Sequence, residues 1–258
     1  MVTVLFHETV FGPVHSRRLG TSLGINLLPN DGKVCSFDCI YCEVGYNSQG
    51  SGKSGVPKRE KVKKLLDKKL KEMSDKGENL DVITFAGNGE PTVHPQFKDI
   101  VGDTIRLRDR YFPNAKVSVL SNSSFLGNEK VVQALKMVDN NILKLDSAIP
   151  GTMNLLNAPV NKNIVPEGVI TDIKQFDGKC ILQTLFVRGE HNGRKVDNTT
   201  DEEIDALIAA YKEINPEEIM IYSIDRATPE ENLEKISREE LERIADKIGK
   251  SGLNVKVD

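Results

Sequence analysis

Cys35-Ser36-Phe37-Asp38-Cys39-Ile40-Tyr41-Cys42 packs three of the chain's four cysteines into eight residues. The spacing is C-x-x-x-C-x-x-C, with an aromatic, Tyr41, directly before the last thiol. Thiolate is the usual ligand of iron–sulfur clusters, so three cysteines on one loop are suited to hold a cubane 4Fe-4S cluster by three of its irons. The fourth iron then has no protein ligand and is free to bind a small molecule. A structural zinc site is the competing reading. Its cysteine pairs are spaced by about two to four residues, and His7, His15 and His94 are available as a fourth ligand. The spacing leaves both open.

The stretch resembles the cluster-binding loop of the radical S-adenosylmethionine (radical SAM) superfamily. That resemblance implies that Cys35, Cys39 and Cys42 are the metal ligands and that the open iron chelates S-adenosylmethionine. It further implies that one electron cleaves the sulfonium to give a 5′-deoxyadenosyl radical, which abstracts hydrogen from a substrate. The cofactor performs that chemistry, while the protein positions it and excludes competing reactions.

Length and composition set the frame. The chain has 258 residues, enough for one large α/β domain. Hydrophobic residues make up 38% and charged residues 28%, with a net charge of −3, so the whole-chain balance does not point to nucleic acid. The start Met1-Val2-Thr3-Val4-Leu5-Phe6-His7 lacks the basic opening of a signal peptide. No apolar run approaches the ~20 residues of a membrane-spanning helix, so no membrane role is expected. Cys180 stands far from the other cysteines, which excludes a disulfide framework and suits a reducing cytoplasm.

Along the chain, residues 2–6 read as a short strand and Gly12 to Arg18 as a turn-rich entry. Residues 19–28 alternate, with Leu23, Ile25 and Leu27 on one face and Ser22, Gly24 and Asn26 on the other. Residues 45–57 are rich in Gly, Ser and Asn and read as a loop. Within it, Gly50-Ser51-Gly52-Lys53-Ser54 superficially looks like a phosphate loop but lacks the first glycine, since position 47 is Asn47. Helices are expected over 59–74, 95–109, 128–138, 164–176, 200–214 and 237–250. Strands are expected over 81–87, 116–121, 142–147, 180–188, 218–224 and 253–257. Helix 59–74 is rich in lysine and reads as a solvated face. Thr200 or Asp201, and Ser237 with Glu240, are candidate N-caps. Strict alternation of strand and helix implies a parallel sheet covered by helices, and no linker divides the chain. A doubly wound sheet has the same alternation. The family resemblance selects an incomplete parallel (β/α)6 barrel, a single domain over residues 1–258.

The second marker is Gly87-Asn88-Gly89-Glu90-Pro91, directly after a strand. Glycine permits close approach of a ligand to the backbone. Radical SAM enzymes carry a similar G-G-E-P stretch here, whose backbone binds the amino end of S-adenosylmethionine; this chain has Asn88 before Gly89. Polar residues also interrupt otherwise apolar strands, namely Thr84, Ser118, Asn122, Lys144, Asp146 and Gln183. A parallel strand buried on both faces is nearly all apolar, so these residues imply a polar lumen. The resemblance assigns Ser121, Asn122, Asp146, Ser147 and Tyr222 to the cofactor site, and Tyr41, Lys144 and Arg188 are further candidates for it. A structural Lys144–Asp146 pair competes with that role. Arg188 is suited to clamp a carboxylate and His191 to acid–base work, and each also reads as a surface loop residue. Cys180 reads as a buried small hydrophobe.

Within the superfamily, Gly12 to Leu28 with the cysteine loop looks most like small single-domain proteins related to wyosine-type tRNA-modifying enzymes. The chain lacks cysteines for a second cluster, so wyosine synthesis is not expected. The expected activity is a one-cluster radical SAM enzyme, fed by an electron donor such as flavodoxin or ferredoxin, acting on a small molecule, a peptide or a tRNA base. A glycyl-radical-enzyme activase, a non-catalytic iron–sulfur electron carrier and a zinc-stabilised binding module are the alternatives.

Overall fold

The computed structural model describes residues 4–16 and 19–258. Residues 2 and 3 of the strand expected over 2–6, and Arg17 and Arg18 of the expected turn, lie outside them. The chain opens instead with β1 (Val10–Ser16), running across the Gly12-Pro13 pair that reads as a turn. It pairs antiparallel with β2 (Gly20–Ile25). Residues 4–6 take no regular structure, but Phe6 is tied down through its backbone to Asn88.

From β2 onward the alternation is largely as the sequence predicts. The cysteine loop follows β2, then come α1 (Arg59–Asp75), β3 (Val82–Phe85), α2 (Phe97–Tyr111), β4 (Lys116–Ser121), α3 (Glu129–Leu135) and β5 (Asn140–Lys144). A short helix α4 (Pro150–Asn157) precedes α5 (Pro166–Lys174) and β6 (Ile181–Leu185). The single strand expected over 180–188 is broken at Phe186. Beyond it, β7 (Val187–His191) turns away and pairs with β8 (Arg194–Asp197). Then follow α6 (Asp201–Ile214), β9 (Glu218–Tyr222), β10 (Leu233–Lys235), α7 (Arg238–Gly249) and β11 (Val255–Val257). Thr200 caps α6 and Ser237 caps α7, each accepting a bond from the backbone N–H three residues on.

Eight strands form one sheet in the order β1-β2-β3-β4-β5-β6-β9-β11, parallel except for β1. A three-stranded antiparallel sheet, β10-β7-β8, stands beside it. The period-two pattern explains the curvature's inside and outside. Leu23, Ile83, Val117, Val119, Leu143, Leu182 and Ile219 are fully buried beneath the helices. The alternate positions face a lumen and are partly polar. Ser22 and Thr84 hydrogen-bond between the adjacent strands β2 and β3 at 2.9 Å, and Asn140 donates to Ser118 between β5 and β4 at 2.8 Å. The register sets Lys144, Gln183 and Met220 side by side on three adjacent strands. The α/β fold with its half-open parallel barrel is the one the sequence predicts. Among the described residues no helix is long and apolar enough to cross a membrane.

Candidate functional site

The cysteine loop crosses the C-terminal ends of β2 and β3. Its backbone is fixed from two sides. Val34 N donates to Asn88 O and Glu90 N donates to Val34 O, while Asp38 N and Ile40 N donate to the carbonyls of Asn157 and Leu156 at the end of α4. Side chains inside the loop complete the scaffold. Asn47 Nδ2 donates to Cys35 O and Phe37 O, and Lys33 Nζ donates to Gly45 O at 2.6 Å.

Cys35, Cys39 and Cys42 border one cavity of about 160 Å³, together with Tyr41, Gly87, Gly89, Glu90, Ser121, Asn122, Lys144 and Gln183. Burial pushes the Cys35 thiol up to about 12 and the Cys39 thiol up to about 11. Desolvation works to lower Lys33, but the neighbouring cysteines and Asp38 outweigh it and its pKa is raised. Asn122 Nδ2 lies 3.6 Å from Cys35 Sγ and Asn157 Nδ2 lies 3.5 Å from Cys39 Sγ, both as donors.

Among the described residues no group of three His, Cys, Asp or Glu side chains is placed to hold a metal ion, while the three thiols of the loop border one cavity. The histidines are also placed elsewhere. His94 faces Pro57 O, His7 faces Asn30 O, and His15 lines a different cavity. Three thiols around a shared cavity, with amide donors on two sulfurs and a buried cation behind the loop, suit an anionic iron–sulfur cluster.

The glycine turn has a protein-side reason for its composition. Gly89 has φ +133°, and a Cβ there would stand 1.9 Å from Val34 O; one on Gly87 would stand 2.4 Å from Asn26 Oδ1. These positions press the turn against the cysteine loop and β2 before any ligand is considered. Asn88 does not face the cavity. Its amide accepts from Phe6 N and donates to the carbonyls of Phe6 and Pro29, so its side chain anchors the N-terminal segment. Pro91 opens a 3-10 turn over Pro91–Val93 and lies outside the cavity.

Glu90 is buried and fully used by the protein. It accepts from Thr92 N, Thr92 Oγ1, Ser121 Oγ and Asn122 N. Desolvation raises its pKa against the pull of those four bonds. Asp146 sits just behind the cavity. Its carboxylate accepts from the Tyr41 hydroxyl, from Asn157 Nδ2 at 2.6 Å and from Leu185 N at 2.9 Å. Lys144 Nζ approaches it at 3.5 Å and donates to the Tyr222 hydroxyl at 3.1 Å, so the structural pair exists while Lys144 still borders the cavity. Burial works to lower Lys144, but Asp146, Tyr222 and Cys39 hold its pKa up. Desolvation and the Asp146 charge push Tyr41 well above the usual phenol value.

Ser147 and Arg188 are not brought to the cysteines. Ser147 Oγ donates to Glu203 on α6. Arg188 lies on β7, not in a strand-end loop, and its guanidinium is engaged by Glu240 and Thr199. His191 pairs with Glu230 at 2.5 Å. Tyr222 borders an adjoining cavity of about 310 Å³ that also touches Tyr41, Cys42, Gly87 and Lys144. Cys180 is buried under the sheet, and burial raises it to about 12. The phosphate-loop look-alike wraps its own chain, since Asp31 accepts from Lys53 N, Ser54 N and Ser54 Oγ.

A trithiol loop across the strand ends of an open α/β barrel, abutted by a glycine turn and a polar lumen, defines a class of cofactor-dependent barrel. The Radical SAM superfamily family model matches residues 30–147, which include the cysteine loop, the glycine turn and β5, so this part of the chain is similar to that superfamily. A Brachyspira hyodysenteriae protein named GTPase Obg is 31% identical over 255 residues, 97% of this chain and 35% of that protein. A UPF0026 protein of Helicobacter pylori is 30% identical over 219 residues, 84% of this chain and 66% of that protein. The chain therefore spans less than two thirds, at most 66%, of the length of these relatives. The crystal structure of Streptococcus suis SuiB bound to S-adenosylmethionine superposes with a TM-score of 0.64 at 16% identity, covering 91% of this chain and 50% of that one. At that identity the likeness is one of fold.

Proposed function

We propose that this chain is a one-cluster radical SAM enzyme that reductively cleaves S-adenosylmethionine and directs the resulting radical to a substrate in the barrel lumen. The observation that carries it is the single cavity shared by Cys35, Cys39, Cys42 and the Gly87–Glu90 turn. When bound, a 4Fe-4S cluster supplies the electron that breaks the sulfonium bond and releases methionine and the 5′-deoxyadenosyl radical.

The chain's own residues have separate tasks. Cys35, Cys39 and Cys42 hold the irons. Asn122 and Asn157 donate to two of the sulfurs, which favours the electron-rich state. Gly87 and Gly89 present backbone to the cofactor's amino acid end. Ser121, Asn122 and Lys144 line the side on which its polar groups lie. Asp146 orients Tyr41 and compensates Lys144. We assign the delivery of the electron to a separate carrier of the flavodoxin or ferredoxin class in a reducing cytoplasm.

The test is anaerobic. The purified chain is reconstituted with iron and sulfide, reduced with dithionite and given S-adenosylmethionine. About four irons per chain and 5′-deoxyadenosine detected by mass spectrometry are expected. Bound zinc with no 5′-deoxyadenosine overturns the proposal and leaves a metal-stabilised binding module.

A further inference from the structure

Behind the cofactor site the lumen continues into a cavity of about 360 Å³, near the small end of the range for small-molecule pockets. Its wall is mostly apolar, with Phe11, Leu120, Ile142 and Met220 prominent. Glu43 and Arg226 also border it and pair with each other at 2.8 Å. The lumen's short polar side chains pair off as well, Ser22 with Thr84 and Ser118 with Asn140.

Gln183 is the exception. It is 5% exposed, in the middle of β6, and its Nε2 is buried with no hydrogen-bond partner among the described residues. With Leu120 it is one of two residues that line this cavity, the 310 Å³ cavity beside Tyr222 and the cysteine cavity, and it is the polar one. A buried amide donor left unpaired costs stability, of order 1–3 kcal/mol. A methionine of the same length would fill the space without that cost. A ligand that accepts from the amide at the junction of all three cavities would remove that cost.

We propose that the lumen takes a small, neutral, largely apolar molecule bearing one carbonyl-type acceptor, and that Gln183 is the residue that recognises it. A charged ligand would find both neighbouring charges, Glu43 and Arg226, already neutralised by each other and would be desolvated without compensation. A purely apolar ligand would bury the Gln183 amide without pairing it, and sites built to bond a polar group reject analogues that lack one. The proposal deepens the radical SAM reading by naming the substrate class. Its test is made on the metal-free chain, so that the two stand or fall separately.

The probe is isovaleramide, with isovalerate as its charged counterpart, each titrated by NMR against the wild type, Gln183→Met and Gln183→Leu. Saturable binding of isovaleramide to the wild type, at least about tenfold weaker in both variants, is expected, with isovalerate binding more weakly than the amide. The Gln183→Met protein is expected to melt at or above the wild-type temperature, because an orphaned donor has been removed. No binding by the wild type, or equal binding by all three proteins, overturns the proposal. So does a Gln183→Met protein that melts lower, since the amide would then be holding the fold. Failure of the radical SAM reading shows differently, as absence of 5′-deoxyadenosine from a chain that still binds isovaleramide.

Discussion

Residues 20–147 and residues 148–258 build opposite walls of one barrel, yet they treat their polar groups differently. In the first wall the lumen's short polar side chains are paired among themselves, while the buried Thr104 hydroxyl and Asn141 amide, outside the lumen cavities, have no partner among the described residues. Ser22 meets Thr84, Ser118 meets Asn140, and Glu90 takes four donors. The second wall contributes Gln183 with a free donor, Met220 beside it, and an additional small sheet, β10-β7-β8. Residues of the second wall reach back to the cysteine site, among them Asn157 to Cys39, Leu185 N to Asp146 and Tyr222 to Lys144. The family model covers the first wall and stops at residue 147. The contrast sets lumen groups paired among themselves on one wall against a Gln183 amide left unpaired at the junction of the cavities on the other.

The largest effect that tests this contrast is on the cysteine loop. Cys39→Ala is expected to abolish cluster assembly, read as iron content and brown absorbance after reconstitution; a loaded variant that still cleaves S-adenosylmethionine removes Cys39 from the ligand set. Next comes Asp146→Ala, which strips the partners from Tyr41, Asn157 and Leu185 N and leaves Lys144 buried without its counter-charge. A loss of about 3–5 kcal/mol in denaturant unfolding is expected, together with impaired S-adenosylmethionine cleavage. Wild-type cleavage would reduce Asp146 to a structural role.

A smaller effect concerns Glu90. Burial raises its folded-state pKa, so the protonated form is favoured by the fold. Its contribution to stability is then greatest below the unfolded value, about 4.5, and declines as the pH rises through the folded one. The stability of the wild type relative to Glu90→Gln is therefore expected to fall as the pH rises above about 4.5, measured by urea midpoints. A difference independent of pH would show that the four donors, not desolvation, dominate the site. The same variant is expected to weaken S-adenosylmethionine binding, read by calorimetry on the reconstituted protein.

The smallest effect belongs to the second wall's extra sheet. Arg188→Ala breaks a half-buried pair with Glu240 and is expected to cost about 1 kcal/mol or less. It should leave S-adenosylmethionine affinity unchanged. Weakened binding would break the comparison by placing β7 within the cofactor site.

The sequence made the cysteine loop, the glycine turn and the strand–helix alternation legible because each rests on local spacing. β1 was hidden because Gly12-Pro13 is turn chemistry that here sits inside an irregular hairpin strand. α4 was hidden because eight residues beginning Pro-Gly carry too little periodicity to stand out from a loop. β7, β8 and β10 are three to five residues each and bury few side chains, so neither alternation nor apolar runs mark them. In the site, Asn88 looked like cofactor cradle because its neighbours are glycines, whereas its amide is committed to Phe6 and Pro29. Asn157 gave no signal at all. It lies 118 residues from Cys39, and only the return of α4 beneath the loop brings the two together.

The ties that hold the cysteine loop have a consequence for the protein's life in air. Small metal-dependent domains lose their fold with the metal because nothing else orders the ligands. Here Asn47, Lys33 and the ends of α4 and β3 hold the loop through bonds that involve no iron. On the proposed reading, oxidative loss of a cluster would then be a local injury rather than an unfolding event. A chain stripped by chelator is expected to keep its melting profile close to that of the reconstituted form, so that a damaged protein could be refilled in place.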